Sequence, residues 1–273
     1  MAAMPFDAQN PLQREHYSRQ IRLPEMGLDG QAALARARVL VVGAGALGAP
    51  VIAYLAAAGV GTLVIADGDR VEPSNLPRQV LFPLDAVGQP KASVAAARVR
   101  ALNPEVMAIA LERDVKADNA AALVAESDLV VDASDNFPTR FLLNDACRLA
   151  GKPLIHGALQ RFTGQLTTFL PDRGPCYRCF FPEPPAKGLV PGCAEVGVLG
   201  PVPGVLGSYQ ALEAIKVLIG ALEATLCGSL MLVDLWNGQQ ERLALPRDPN
   251  CPLCGEEPLI TSLLPDYDRL RPL

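Results

Sequence analysis

The chain has 273 residues, of which half are apolar, and a formal net charge of -5 at pH 7. That length is enough for one large α/β domain with appendages or for two small domains. The negative charge argues against nucleic acid as the main partner, because proteins that bind it normally carry a basic excess. Residues 1–20 lack the apolar core of a signal peptide, and later apolar runs are broken by Gly, Pro or charge before they reach a membrane-spanning length. We therefore expect a cytoplasmic protein with no membrane partner.

Apolar strands and helical segments alternate through the first part of the chain. A mixed-charge helical segment is predicted at residues 14–37. The strands after it are predicted at Val39–Val42, Thr62–Ala66, Met107–Leu111, Leu129–Asp132 and Pro153–Gly157. The helices between them are predicted at Ala49–Ala58, Ala92–Leu102, Ala120–Glu126 and Thr139–Ala150. This alternation is typical of an α/β protein with a doubly wound, mostly parallel, Rossmann-like sheet.

The later part of the chain has a different pattern. The segments GQLTTFL (164–170) and GSLMLVDL (228–235) predict further strands, which we expect to extend the sheet in a partly antiparallel manner. Pro182–Pro191 is rich in proline and is predicted to form a crossover loop. Val202–Leu222 is predicted to be an apolar helix that belongs to the core or to a subunit interface.

A glycine-rich turn follows the first predicted strand. Gly43, Gly45 and Gly48 form the pattern GxGxxG before a helix, and the next strand ends at the acid Asp67. This is the dinucleotide-binding fingerprint, in which the backbone at a helix N-terminus closely approaches phosphate groups. The pattern alone does not identify the nucleotide, and a nicotinamide-dependent oxidoreductase is one class of protein that would explain it.

Polar and cationic residues lie soon after Asp67. They are Ser74, Asn75, Arg78, Gln79 and Lys91. Hydride transfer to a nicotinamide does not call for such a cluster of polar and cationic side chains. Arg and Lys side chains that converge on phosphates instead suit transfer chemistry at a phosphorus atom. The alternative interpretation is an ordinary solvated, charged loop.

Four of the seven cysteines form two CxxC pairs. Cys176 and Cys179 belong to CYRC, and Cys251 and Cys254 belong to CPLC. In a cytosolic chain, two such knuckles favour one tetrahedral zinc site, whose four thiolates leave no position open for a substrate. We therefore predict a structural four-cysteine zinc clip that joins the end of the chain to its middle. The alternatives are a redox-active CxxC or two unrelated pairs.

Motifs along most of the chain resemble the MoeB/ThiF/HesA family, the bacterial relatives of ubiquitin-activating enzymes. The resemblance runs from Tyr17 to Cys254 and rests on the two CxxC pairs and on YSRQIRL, GAGALG, DGDRVEPSNLPRQ, GQPKA, DASDNFPTRFLLND and GVLGSYQALEAIK. It implies an adenylyltransferase that uses ATP, Mg²⁺ and Zn²⁺. The substrate implied is the C-terminal glycine of a small ubiquitin-like sulfur carrier ending in Gly-Gly, such as MoaD or ThiS, in molybdopterin or thiamine biosynthesis.

The resemblance also implies an organisation for the chain. Residues 1–273 would form one adenylation domain, with a helical leader (1–37), a nucleotide-binding half (38–157) and a carrier-binding, zinc-clipped half (158–273). A homodimer is implied. Because the chain ends soon after Cys254 without a rhodanese extension, we expect a separate sulfur donor, such as a cysteine desulfurase or rhodanese. A non-catalytic scaffold related to activating enzymes is the remaining alternative, and the presence of Arg78, Lys91 and Asp135 counts against it.

The resemblance assigns roles to residues around the nucleotide. Asp67 would bind the ribose hydroxyls, and Asp135, with Asn136 beside it, would place magnesium. Asp132 is the competing magnesium candidate and would otherwise cap the local turn. The nucleotide loop would be formed by Gly43, Gly45, Ala46 and Gly48, and the phosphates would be held by Asn75, Arg78 and Lys91, with Ser74 and Gln79 beside them.

Two further roles concern residues outside these motifs. By resemblance, Arg19 in YSRQIRL reaches the nucleotide phosphates of the neighbouring subunit, although an exposed helix charge is the plain alternative. Cys193 would form a thioester or acyl disulfide with the carrier, or would be auxiliary, since some relatives work without such a cysteine. Cys147 and Cys227 are interpreted as small packing residues. His156, one of two histidines, is interpreted as a packed or hydrogen-bonded residue near a strand end.

Overall fold

One eight-stranded sheet organises the residues that the computed structural model describes, which are 5–184 and 197–267. Its strands, in spatial order, are β3, β2, β1, β4, β5, β6, β7 and β8. The first five of these are parallel, and the last three are added in antiparallel pairs. The strands are β1 Arg38–Val42, β2 Thr62–Ala66, β3 Met107–Leu111, β4 Leu129–Asp132, β5 Leu154–Gln160, β6 Thr163–Phe169, β7 Ser229–Asp234 and β8 Gln239–Ala244.

Helices cover both faces of the sheet, so that each face has its own apolar core. On one face, α4 and α5 pack with the long helix α9 against the central strands. On the other face, α6, α7 and α8 cover the same strands. The helices are α1 Pro11–His16, α2 Ser18–Ile21, α3 Gly27–Arg36, α4 Gly48–Ala57, α5 Lys91–Leu102, α6 Ala120–Ala125, α7 Phe137–Ala150, α8 Tyr177–Phe180 and α9 Pro201–Leu218.

The predicted α/β sheet is confirmed, and so is its antiparallel extension. The strand predicted at Pro153–Gly157 continues to Gln160, because it also pairs with β6. The helical leader is divided into three helices, and the predicted apolar helix ends at Leu218 rather than Leu222. Val202, Leu206, Ala211 and Ala214 of that helix are buried, which assigns this face of it to the core. Most of the predicted crossover loop lies outside the described residues.

The strand order creates a crevice at the carboxyl ends of the central strands. From β1 the chain moves outward through β2 to β3, and it then returns to the other side of β1 to form β4. Loops after β1 and β4 therefore run in opposite directions, and ligands of open α/β sheets bind where the strand order reverses in this way. No helix in the described part of the chain has both the length and the apolar character needed to cross a membrane.

Candidate active site

A cleft of about 640 Å³ opens at the carboxyl ends of β1, β2 and β4. It is the place where the strand order reverses. The glycine-rich turn after β1 and the segment after β4 both line the cleft. Predicted site residues that line it are Gly43, Gly45, Ala46, Asp67, Arg78, Gln79, Lys91, Asp135 and Asn136.

The glycines of the turn are required for two different reasons. Gly43 has φ 95°, and a Cβ on it would lie 2.7 Å from the carbonyl oxygen of Ala133. A Cβ on Gly48 would clash with the carbonyl oxygen of Gly43. Gly45 faces the cleft, where a Cβ would meet only the Gln79 amide nitrogen, at 3.6 Å. Two glycines therefore allow the turn to close, and the third keeps the backbone open to a ligand at the positive end of α4.

Asp67 joins the glycine-rich turn to the end of β2. Its Oδ2 accepts a hydrogen bond from the Ala44 backbone N–H at 2.7 Å, and its Oδ1 accepts one from the Asp69 backbone N–H at 2.9 Å. Burial raises the pKa of the Asp67 carboxyl above its ordinary value, although both hydrogen bonds act in the opposite direction. The carboxylate lies at the cleft wall, where the resemblance places the ribose.

Two cations lie at the rim and wall of the cleft. Lys91 is the first residue of α5, and its buried ammonium Nζ is 2.8 Å from Oδ2 of the exposed Asp69. The Arg78 guanidinium donates a hydrogen bond to the backbone oxygen of Ser74 at 2.6 Å. Gln79 lines the same cleft; it is buried, and its Oε1 has no hydrogen-bond partner among the described residues. The wall therefore offers positive charge and amide groups to an anionic ligand.

Ser74 and Asn75 do not line the cleft in the described structure. Asn75 is buried, and its Oδ1 accepts a hydrogen bond from the Glu72 backbone N–H at 3.1 Å. The Ser74 hydroxyl lies 3.4 Å from the Glu72 carboxylate. These side chains shape the loop that carries Arg78, and their predicted contact with phosphate remains a prediction.

Arg19 does not line the cleft either. Arg19 is exposed on α2, outside the cleft formed by its own chain. Cys193 lies outside the described residues. Their predicted roles therefore remain predictions.

The segment after β4 distinguishes the two candidate magnesium ligands. Asp135 is exposed at the cleft, and the neighbouring Asn136 caps α7 by accepting a hydrogen bond from the Thr139 backbone N–H at 2.9 Å. Asp132 is fully buried, and its Oδ1 accepts hydrogen bonds from the N–H and hydroxyl of Ser134. Asp132 therefore caps the turn, as its alternative interpretation predicted. His156 is buried beside it, which agrees with the prediction of a packed, hydrogen-bonded histidine.

Several residues that the motifs did not identify also line the cleft. Arg140 lies in the first turn of α7, where its guanidinium is 5.1 Å from the centre of the Phe137 ring and donates to the Ser134 carbonyl at 3.4 Å. Its place in DASDNFPTR was the only sequence signal for it. Asp114 and Lys116 follow β3, and the segment 265–267 returns from the end of the described chain. No local pattern marks these residues, since only the fold brings them to the cleft.

The four cysteines of the CxxC pairs form a compact cluster. All four Sγ atoms lie within 4.8 Å of one another. The Cys176 and Cys251 sulfurs are 3.5 Å apart, and the Cys179 and Cys254 sulfurs are 3.4 Å apart. Both distances are too long for a disulfide, whose S–S bond is about 2.05 Å. A tetrahedral Zn²⁺ with Zn–S bonds of about 2.3 Å would separate its sulfurs by about 3.8 Å, so the cluster fits zinc.

A buried ion pair attaches this cluster to the rest of the molecule. Arg178, between the first two cysteines, donates two hydrogen bonds to Asp145 of α7, at 2.8 and 2.7 Å. The Tyr267 hydroxyl donates to the same carboxylate at 2.8 Å. The bidentate geometry satisfies both charges, which a buried pair requires. The zinc-capable knuckle, helix α7 and the end of the described chain therefore share one anchor.

Comparison with known proteins gives consistent matches over nearly the whole chain. The profile of the ThiF family matches residues 17–253. The SAMP-activating enzyme E1 of Haloferax volcanii is 55% identical over 244 residues, which cover 89% of this chain and 90% of the relative. The sulfur carrier protein adenylyltransferase of Thermus thermophilus is 50% identical over 259 residues, covering 93% and 95% of the two chains. The mouse adenylyltransferase and sulfurtransferase MOCS3 is 51% identical over 253 residues, 92% of this chain and 55% of the relative.

Solved structures with the same fold are more distant in sequence. E. coli MccB in complex with MccA-N7isoASN superposes with a TM-score of 0.77 at 23% identity, covering 93% of this chain and 77% of the other. E. coli MccB with ATP gives a TM-score of 0.71 at 24% identity, covering 84% and 69%. At this level of identity the likeness establishes the shared fold.

Proposed function

The chain belongs to the ThiF family, and we infer that it is an ATP-dependent adenylyltransferase of a small ubiquitin-like sulfur carrier. It joins AMP to the C-terminal carboxylate of the carrier and releases pyrophosphate, for sulfur incorporation in molybdopterin or thiamine biosynthesis. The observation that carries this conclusion is the cleft itself, which combines a phosphate-binding glycine turn, the cations Arg78 and Lys91, and the exposed carboxylate of Asp135. We further propose that a separate protein donates the sulfur.

The chemistry needs few catalytic groups. A C-terminal carboxylate has a pKa of about 3.5 and is ionised at pH 7, so it attacks the α-phosphorus without a general base. The bond from the carboxylate oxygen to the α-phosphorus forms as the bond to the pyrophosphate oxygen breaks. The obstacle is repulsion between anions and the charge that develops on the leaving group. Lys91, Arg78 and the N-terminus of α4 line the cleft, and we propose that their positive charge reduces both.

Asp135 is the residue that we propose to hold magnesium. Mg²⁺ is usually bound by one or two carboxylates together with substrate phosphates, and Asp135 offers an exposed carboxylate at the cleft. The burial of Asp132, whose oxygens accept hydrogen bonds from the protein, supports the choice of Asp135 over Asp132. When bound, the ion would neutralise charge on the phosphates.

We expect the protein to catalyse carrier-dependent exchange of labelled pyrophosphate into ATP. The substrate is a sulfur carrier that ends in Gly-Gly, and the matched control is the same carrier without its last glycine, which should support no exchange. Because adenylation is reversible, exchange reports the chemical step alone. Binding of ATP without any exchange would favour the scaffold interpretation, and hydride transfer to a nicotinamide would favour an oxidoreductase.

We also propose a two-fold dimer in which Arg19 acts on the partner's nucleotide. Arg19 is exposed and does not line the cleft of its own chain. Its position is nevertheless restrained, because Tyr17, two residues earlier, is held by hydrogen bonds. The buried Tyr17 hydroxyl donates to Glu105 at 3.1 Å and accepts from Asn103 Nδ2 at 2.8 Å. A guanidinium is always charged and binds phosphate oxygens in pairs, so an arginine supplied by a neighbouring subunit would make activity depend on assembly.

Mixing two inactive variants tests this arrangement. Arg19→Ala and Asp135→Ala chains should each be nearly inactive alone, whereas mixed dimers should regain one working site from the intact arginine of one chain and the intact carboxylate of the other. The measurement is pyrophosphate exchange after subunit exchange has been verified by mass. If the subunits exchange and activity does not return, Arg19 does not act across the interface.

A further inference from the structure

The turn between β4 and α7 is held by a buried carboxylate. Asp132 is the last residue of β4, and its side chain has no solvent exposure. Its Oδ1 accepts hydrogen bonds from the Ser134 backbone N–H at 3.0 Å and from the Ser134 hydroxyl at 2.6 Å. These local bonds fold the chain back immediately before Asp135 reaches the cleft.

A histidine on the neighbouring strand completes this arrangement. His156 of β5 is directly opposite Asp132 in the parallel register, and its Nδ1 is 2.8 Å from Asp132 Oδ2. Burial lowers the pKa of His156 below its ordinary value, so the ring is neutral and its Nδ1–H donates. Burial raises the pKa of Asp132, but the hydrogen bond from His156 and the charge of Arg140 outweigh that effect, and the carboxyl stays ionised.

Two helices hold the backbone of the same turn. Gln210 of α9 donates to the Asp132 carbonyl at 2.7 Å, and Arg140 of α7 donates to the Ser134 carbonyl at 3.4 Å. The Tyr177 ring, between the cysteines of CYRC, packs on His156 with the ring centres 4.9 Å apart. The turn is thus restrained by a strand, by helices on both faces of the sheet and by the zinc-capable knuckle.

Burying an ionised carboxylate is costly unless it is hydrogen-bonded, and the hydrogen bonds that satisfy Asp132 also fix the turn before Asp135. Asp135, three residues further on, is exposed and would lose conformational freedom when it binds a cation. We propose that Asp132 and His156 are positioning residues, which fix the turn so that the Asp135 carboxylate is already placed for the divalent cation. This inference rests on the proposed role of Asp135.

The test compares two substitutions of His156 by their effect on cation binding. His156→Leu fills the space but removes the donor, whereas His156→Asn places an amide N–H near the position of Nδ1. We expect His156→Leu to weaken Mn²⁺ binding to the complex with a non-hydrolysable ATP analogue by roughly tenfold, the lower end of the range for residues that orient metal ligands. His156→Asn should stay within about threefold of the wild type. Electron paramagnetic resonance of free Mn²⁺ measures the affinity directly, without turnover.

Two further variants make each outcome decisive. Ser134→Ala removes the hydroxyl donor to Asp132 and is a small change, so it should weaken Mn²⁺ binding about threefold. This variant replaces His156→Leu in the test if His156→Leu does not fold. Equal losses in His156→Leu and His156→Asn would overturn the proposal, as would unchanged binding in His156→Leu and Ser134→Ala. Asp135→Ala separates the two hypotheses. If it binds Mn²⁺ normally, the proposed cation ligand is wrong; if it alone loses Mn²⁺, only the positioning role is wrong.

Discussion

Replacing Asp135 by alanine is expected to reduce carrier-dependent pyrophosphate exchange by at least about a hundredfold, the scale on which the loss of one electrostatic contact to a transition state is felt. The side chain is exposed at the cleft, so the fold should be retained. Exchange at saturating ATP and carrier, together with the melting temperature, measures both effects.

Asp172→Ala is the matched control for this experiment. Asp172 is also an exposed acid. It follows β6, whose last residues pair with the beginning of β5, so it lies at the end of the strands opposite to the cleft. It should exchange pyrophosphate at the wild-type rate. Full activity in Asp135→Ala would show that this carboxylate holds no essential cation.

Replacing Cys254 by serine is expected to remove the metal and to lower the melting temperature by roughly 10 °C, which corresponds to about 3 kcal/mol for a domain of this size. Among the described residues, the apolar cluster around the cysteines contains only Leu253 and Ile260 besides the cysteines, so metal bonds would supply most of its cohesion. The purified wild type should contain about one zinc per chain, because the four thiolates complete one tetrahedral site. Elemental analysis and a thermal melt measure the two quantities.

Cys227→Ser provides the same chemical change outside the cluster. Cys227 is half-buried and is not among the four clustered sulfurs. It should keep its zinc and melt within about 2 °C of the wild type, as expected for a mutation away from core and site. Zinc retained in Cys254→Ser would mean that these cysteines are not its ligands.

Local patterns were sufficient for the parts of the protein that depend on near neighbours in the chain. Strand and helix periodicity predicted the central strands because β1, β2 and β4 are buried on both faces and read as continuous apolar runs. The glycine turn was readable because Gly43 has a positive φ and a Cβ on Gly48 would clash with the Gly43 carbonyl oxygen, and both constraints are local. The two CxxC spacings predicted one cluster, and the structure brings all four sulfurs together.

Tertiary structure decided what depends on residues distant in the chain. Asn75 accepts a hydrogen bond from the Glu72 backbone, a contact that its motif did not predict, and the cleft is also lined by Asp114, Arg140 and the returning segment 265–267. Asp132 and Asp135 look equivalent as acids after a strand. Only the folded chain, in which the parallel register sets Asp132 opposite His156, shows that Asp132 is buried and that Asp135 is exposed at the cleft. Burial and partner identity arise from packing between elements, and a single strand's sequence does not contain them.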